Sequence, residues 1–212
     1  MPRNLSEDEV SLFRERLCEV ATRLFAERGL DAVPMRQLAV ELGVSPMTPY
    51  RYFRDKDDIL AAVRTRGFNK FAEALEKARA SVRDPVLIGD AVCNAYLDFA
   101  FANPHIYKLI FDVNQPTRHE YPELMAAEQR ARDTMSAWVK DQIEAGLIVG
   151  DPEEIGYIMW ASTHGLVMLE LAGKLPKGSA RSLKKAALRL MEAGCRPRGS
   201  MPHTTKRSTA RK

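Results

Sequence analysis

A single stretch, Met35 to Lys56 (MRQLAVELGVSPMTPYRYFRDK), restricts the fold more than any other part of the chain. Leu38, Ala39 and Leu42 form one apolar stripe, and Gly43 stands where a helix ends on a positive φ, which glycine adopts at little cost. Val44 follows as an apolar plug, and a second short piece ends on Phe53. Two short helices joined at a glycine have the layout of a helix-turn-helix, whose second helix can enter the major groove of DNA. The polar side of the second piece carries Thr48, Tyr50, Arg51 and Tyr52, and Lys56 follows. An ordinary helical hairpin with a solvated face is the plainer alternative, since a glycine and a polar cluster are each common alone.

Pro49 sits awkwardly in that second piece. With Ser45 as N-cap, Pro49 lacks the N–H that would bond the Ser45 carbonyl, and its ring crowds that oxygen. It also biases Thr48 away from the helical region. The sequence therefore predicts an irregular or late-starting first turn.

The rest of the chain reads as helices with clear starts and stops. Ser6 and Glu9 form a capping box, and Val10, Phe13, Leu17, Ala21, Leu24 and Phe25 share one face until Gly29. Pro34 opens the next helix without a side-chain acceptor, a weak cap. Asp55 caps a long helix from Lys56 to about Val82 that links a head to a body. Asp84-Pro85, Asn103-Pro104, Pro122 and Asp151-Pro152 mark four more starts. The segment Asp112 to Tyr121 has no periodicity and reads as a loop. A last helix carries Leu183, Ala187, Leu190 and Met191, and Gly194 closes it. No strand and no internal repeat are expected.

Charge decides where a nucleic acid would bind. The net charge is +4, but Arg196, Arg198, Lys206, Arg207, Arg211 and Lys212 follow Gly194 with no acid among them. Without that tail the remainder stands at −2, so any DNA affinity comes from a local patch. The tail has the composition of a disordered segment. Cys18, Cys93 and Cys195 are odd in number and lack metal spacing, as do His105, His119, His164 and His203. With no GxSxG, HExxH, CxxC or phosphate-binding glycine loop, no enzyme, metal or cofactor is expected. The N-terminus is polar, without a secretory signal. The apolar run Ile155 to Leu171 contains Ser162, Thr163, His164 and Glu170, which disfavours a membrane span. A reducing cytoplasm is the expected compartment.

The block Leu17 to Leu60 resembles the DNA-binding domain of the tetracycline-repressor (TetR) family. The matching residues are Ala21, Leu24, Phe25, Gly29, Leu38, Ala39, Gly43, Val44, Ser45, Thr48, Tyr50, Phe53, Lys56 and Leu60. IMWASTHGLVMLEL, Ile158 to Leu171, is similar to the C-terminal domain of a subfamily marked by a Trp…His-Gly motif, here Trp160, His164 and Gly165. NPHIYKLIF, Asn103 to Phe111, fits the same subfamily. The resemblance implies an all-α chain with a three-helix DNA-binding domain over residues 1–55. A helical bundle for effector binding and dimerisation follows over 56–194, and a basic tail over 195–212.

By the same resemblance Pro46, Met47, Thr48 and Arg51 sit where family members touch bases, and Ser45 is counted with them in the expected DNA-binding set. Arg36, Tyr50, Tyr52 and Lys56 sit where they touch phosphates. Thr48 and Met47 suit thymine methyls, and Arg51 suits the O6 and N7 of guanine. Two positions depart from the family pattern: most members have glycine at Met47 and a larger apolar residue at Pro49. In the body, an effector cavity is expected among Phe99, Tyr107, Phe111, Trp138, Trp160 and His164, although core packing is the plain reading of each singly. Large aromatics with few polar groups suit a small, mostly apolar effector. Two functions remain open. One is a transcriptional regulator, a repressor, acting as a homodimer on a double-stranded DNA operator with two-fold symmetry. The helices from Pro152 to Ala172 and from Ala180 to Ala193 would pair its subunits. The other is a helical interaction or small-molecule-binding protein that has lost DNA readout.

Overall fold

The structure, a computed structural model, describes residues 6–111 and 121–197. The expected loop therefore lies outside the described residues except for Tyr121, and so does nearly all of the basic tail. Among the described residues there are eight α-helices, one 3-10 turn and no strand.

Helix α1 (Glu7–Arg28) begins on the expected capping box: Ser6 Oγ accepts from Glu9 N, and Glu9 reaches back to Ser6 N. α2 (Met35–Leu42) starts at Pro34 with no side-chain cap and ends at Gly43, φ 67°. After the 3-10 turn Pro49–Arg51, Asp55 caps α3 (Lys56–Ala80) by accepting from Asp58 N. The body continues with α4 (Pro85–Ala102), α5 (Pro104–Ile110), α6 (Pro122–Glu144), α7 (Pro152–Leu171) and α8 (Ser179–Gly194). Asp151 caps α7 by accepting from two backbone N–H groups, of Glu153 and Glu154. The Glu170 carboxylate accepts from Gly178 N and Ala180 N, so α7 itself caps α8. α4 alone among the described helices is long and apolar enough to cross a membrane, and it packs in the body core.

Two cores organise these helices. The head core holds Leu17, Leu24, Phe25, Val33, Leu38 and Phe53. It also takes Ile59, Leu60 and Val63 from the first turns of α3, and Leu109 from α5. The body core gathers Phe71, Leu75, Tyr96, Leu97, Tyr107, Ile110, Trp138 and Val139. A boundary between 55 and 56 thus falls at the cap of a helix that both cores share.

α5 is shared in the same way. Leu109 enters the head core while Tyr107 and Ile110 enter the body core. It lies tight on α3 because Gly67 has no side chain: a Cβ there would stand 2.6 Å from Ile110 Cγ2 and 2.7 Å from Ile106 Cγ1.

Buried charges also join helices. Arg64 of α3 meets Glu128 of α6 at 2.7 Å with both side chains buried. Lys184 of α8 is fully buried and reaches Asp90 at 2.6 Å and Asn94 at 3.0 Å on α4. Isolated charges there would be severely penalised, so the pairing fixes how these helices meet.

α7 shows where the body ends. Ile155, Gly156, Met159, Thr163 and Val167 face inward, and a Cβ on Gly156 would lie 2.7 Å from the Met135 carbonyl oxygen. The outer side leaves Tyr157, Ile158, Met168 and Leu169 exposed, with Leu183 and Leu190 exposed on α8. Within a single chain α7 is thus covered on one side only.

Candidate nucleic-acid interface and effector cluster

The expected second helix of the helix-turn-helix is reduced to one 3-10 turn, because Pro49 cannot donate a helical bond. Thr48 N donates to Ser45 O at 2.8 Å and Arg51 N to Thr48 O at 3.1 Å. Tyr52 N and Phe53 N then both donate to Pro49 O. The irregular start follows the proline argument, but the expected bias at Thr48 does not hold. Thr48 is helical at φ −62° and ψ −44°, held by a turn bond on each side.

Two residues anchor the turn inward: Pro49 is buried and Phe53 is 2% exposed. That orientation turns Met47, 67% exposed, and Tyr50, 49% exposed, outward. Ser45, Pro46 and Arg51 are also exposed, and Thr48 is half-buried. Tyr52 points partly inward, with its ring 4.3 Å from Phe13, while Arg14 donates to its carbonyl. Arg14 also lies over the Phe53 ring at 4.1 Å. Phe13 and Arg14 were absent from the sequence-derived site, although both lie on the face of α1 that backs the turn.

The cations divide into two groups. Arg23 pairs with Glu27 and Glu41, Arg54 with Asp58, and Arg66 with Glu15. The Lys56 ammonium donates to the carbonyls of Leu30 at 2.8 Å and Asp31 at 3.4 Å, bracing the turn before α2 rather than standing free. Arg36 and Arg51 are exposed and have no acid partner among the described residues, and the same holds for Arg16 and Arg28 of α1. Exposed, unpaired guanidiniums and an exposed tyrosine hydroxyl such as that of Tyr50 are groups that bind phosphate oxygens and guanine edges.

In the body, four of the six candidate residues meet directly, and a fifth joins them through a neighbour. Phe111 lies 4.9 Å from Tyr107, 5.1 Å from His164 and 5.9 Å from Trp160, ring centre to ring centre. Phe99 joins through Phe71 at 5.2 Å. Trp138 stands apart, packed on Gly89 of α4, where a Cβ would lie 2.8 Å from its ring. A void of about 20 Å³ separates it from Trp160 and Tyr96, room for about one water.

Polar groups thread this cluster. Trp160 Nε1 donates to Tyr96 Oη at 3.2 Å, the Tyr96 and Tyr107 hydroxyls are 2.9 Å apart, and Tyr107 Oη is 2.7 Å from His164 Nδ1. Burial pushes both phenols up and holds the His164 pKa below its ordinary value. Tyr96 and Phe71 were missed as site residues. Both lie in the body core, and only the fold brings the Tyr96 hydroxyl to Tyr107.

Comparison with known proteins places both halves. A profile of bacterial regulatory proteins of the tetR family matches residues 17–63, and one of the tetracyclin repressor-like C-terminal domain matches residues 90–193. A helix-turn-helix transcriptional regulator of Staphylococcus aureus is 41% identical over 58 residues, 27% of this chain and 31% of the relative. That alignment thus spans less than a third of the relative. An uncharacterised helix-turn-helix regulator of Mycobacterium tuberculosis is 27% identical over 166 residues, 76% of this chain and 72% of its own. Among solved structures, a Rhodococcus protein of unknown function shares 26% identity at a TM-score of 0.77, covering 93% of this chain and 100% of its own. A TetR family transcriptional regulator from Thermus thermophilus has the same fold, with 21% identity, a TM-score of 0.69 and coverage of 84% and 97%.

Proposed function

Since this chain belongs to the tetracycline-repressor family, we propose that it is a sequence-specific transcriptional regulator, a repressor that a small, mostly apolar effector releases from its operator. The observation that carries the reading is the divided use of cations in the head. Arg36 and Arg51 stay exposed and unpaired, as do Arg16 and Arg28 of α1, and Arg51 follows the outward-facing Met47 and Tyr50 in the same turn, while Arg14, Arg23, Arg54, Lys56 and Arg66 are engaged. In this reading residues 1–55 bind DNA, 56–194 bind the effector and the second subunit, and 195–212 form an accessory basic tail. Met47, Thr48 and Arg51 read bases; Arg36, Tyr50 and Tyr52 hold phosphates; Ser45 and Pro46 set the turn. Lys56 reaches a phosphate only by releasing the Leu30 carbonyl.

The homodimer forms through α7 and α8, whose exposed Ile158, Met168, Leu169, Leu183 and Leu190 need cover. A two-fold dimer then matches two half-sites about one turn of DNA apart. The effector acts at the aromatic cluster, and α5 carries its effect: displacing Tyr107 moves Leu109 within the head core. The effector must favour the DNA-releasing form, since equal affinity for both forms shifts nothing. The setting is the cytoplasm.

Selection of bound duplexes from random oligonucleotides tests the reading. A recurrent two-fold sequence is expected, together with a dimer in sedimentation at micromolar concentration. Failure to enrich any sequence would favour the alternative, a helical binding protein without DNA readout.

A further inference from the structure

Four side chains from three helices form one unbroken line of hydrogen bonds, and its direction is fixed from one end. An indole N–H only donates, so Trp160 gives its proton to Tyr96 Oη. Tyr96 still has its own proton to place. Among the described residues the Tyr107 hydroxyl, 2.9 Å away, is the acceptor within reach. Tyr107 then gives its proton to His164 Nδ1 at 2.7 Å. In the reverse arrangement Nδ1–H donates to Tyr107 and Tyr107 to Tyr96. The Tyr96 proton is then left without an acceptor at a side chain 3% exposed, a costly state. Burial raises both phenols, so both keep the protons that the forward arrangement uses.

A neutral imidazole whose Nδ1 accepts carries its proton on Nε2. That nitrogen has no partner among the described residues, and the residue is half-buried beside Phe111 and Trp160.

We propose that His164 is a specificity-determining donor: the Trp160–Tyr96–Tyr107 relay locks its Nε2–H outward, and the effector brings a carbonyl oxygen to it on an otherwise apolar body. The inference rests on the effector reading given under Proposed function. The donor is uncharged, which suits a neutral carbonyl better than a carboxylate. A ligand offering only donors, such as an ammonium, meets N–H against N–H. An apolar cluster with one oriented donor selects by an acceptor's presence, because an analogue without it leaves the donor dry and unpaired.

Two measurements on the full chain test this. Long-range ¹⁵N–¹H correlation spectra, with the His164 signals assigned by their loss in His164→Gln, report the tautomer directly. At neutral pH a bare Nδ1 and a protonated Nε2 are expected, and Tyr107→Phe should yield a mixture of tautomers. A protonated Nδ1 in the wild-type chain, in either a neutral ring or an imidazolium, would overturn the proposal. Calorimetric titration with benzophenone and diphenylmethane, which share rings and differ in C=O against CH₂, tests the class. The ketone is expected to bind about tenfold tighter, a preference lost in His164→Phe. Equal binding of the pair to the wild-type chain would overturn the proposal. Binding of neither would count against the effector site itself, while the tautomer still decides the donor assignment.

Discussion

Replacing Gly67 by alanine probes the joint where α5, shared by both cores, packs on α3. Glycine inside an exposed helix costs about 1 kcal/mol relative to alanine, so propensity alone makes Gly67→Ala stabilising. Packing opposes this. The new Cβ would lie 2.6, 2.7 and 2.8 Å from atoms of Ile110 and Ile106 on α5. Restoring contact at about 3.5 Å requires a local shift of roughly 0.9 Å. Ile110 is held, being 1% exposed, whereas Ile106 is half-buried and borders an open cleft beside Gly67 into which its side chain can turn. Overpacking of this kind costs about 1–3 kcal/mol, and one immobile neighbour places it near the middle of that range. Net destabilisation of about 1 kcal/mol follows, a fall in melting temperature of roughly 2–4 °C for a chain of this size. Because α5 is what moves, effector-dependent release from DNA should change as well. Gly165→Ala is the control, as its Cβ meets nothing within 4 Å in the single chain. Urea unfolding and thermal melts decide the matter. A Gly67→Ala chain as stable as the Gly165→Ala chain would refute the argument.

The buried Lys184 makes an asymmetric prediction. Asp90→Ala leaves a fully buried ammonium with only Asn94 and should cost about 2–3 kcal/mol, below the range for a fully buried pair because Asp90 is itself partly exposed. Lys184→Met removes the charge in a similar volume and should be near neutral in urea unfolding. The depressed His164 pKa predicts acid sensitivity: below about 6.5 the unfolded chain binds a proton that the folded chain refuses. Stability therefore falls as pH drops through that value, and the loss should be smaller in His164→Gln than in the wild-type chain.

The helical frame was legible because its punctuation is local. Ser6, Gly43, Asp55, Asp84 and Asp151 each act through backbone groups within four residues. Pro49 was legible for the same reason, as its missing N–H is a property of one residue. What the sequence did not reveal depends on distant groups. Lys56 looked free until the fold brought the Leu30 carbonyl to its ammonium. Trp138 looked equivalent to Trp160, yet Gly89 draws its ring onto α4, across a small void from Trp160. The relay needed Tyr96, Tyr107 and His164 from three helices, and no spacing within one helix encodes that meeting.

The central claim, that the head reads DNA with its free arginines, is tested most directly by the salt dependence of binding to the selected operator. Log affinity should fall steeply and linearly with log salt, by about 0.9 for each phosphate neutralised. A two-fold complex contains Arg36 twice, so Arg36→Ala should reduce that slope by about 1.8 with little change in sequence preference. Arg51→Ala should instead relax the preference at one position of each half-site, at about 1–3 kcal/mol per lost contact. A shallow slope that neither substitution alters, with no base preference to lose, would contradict the account.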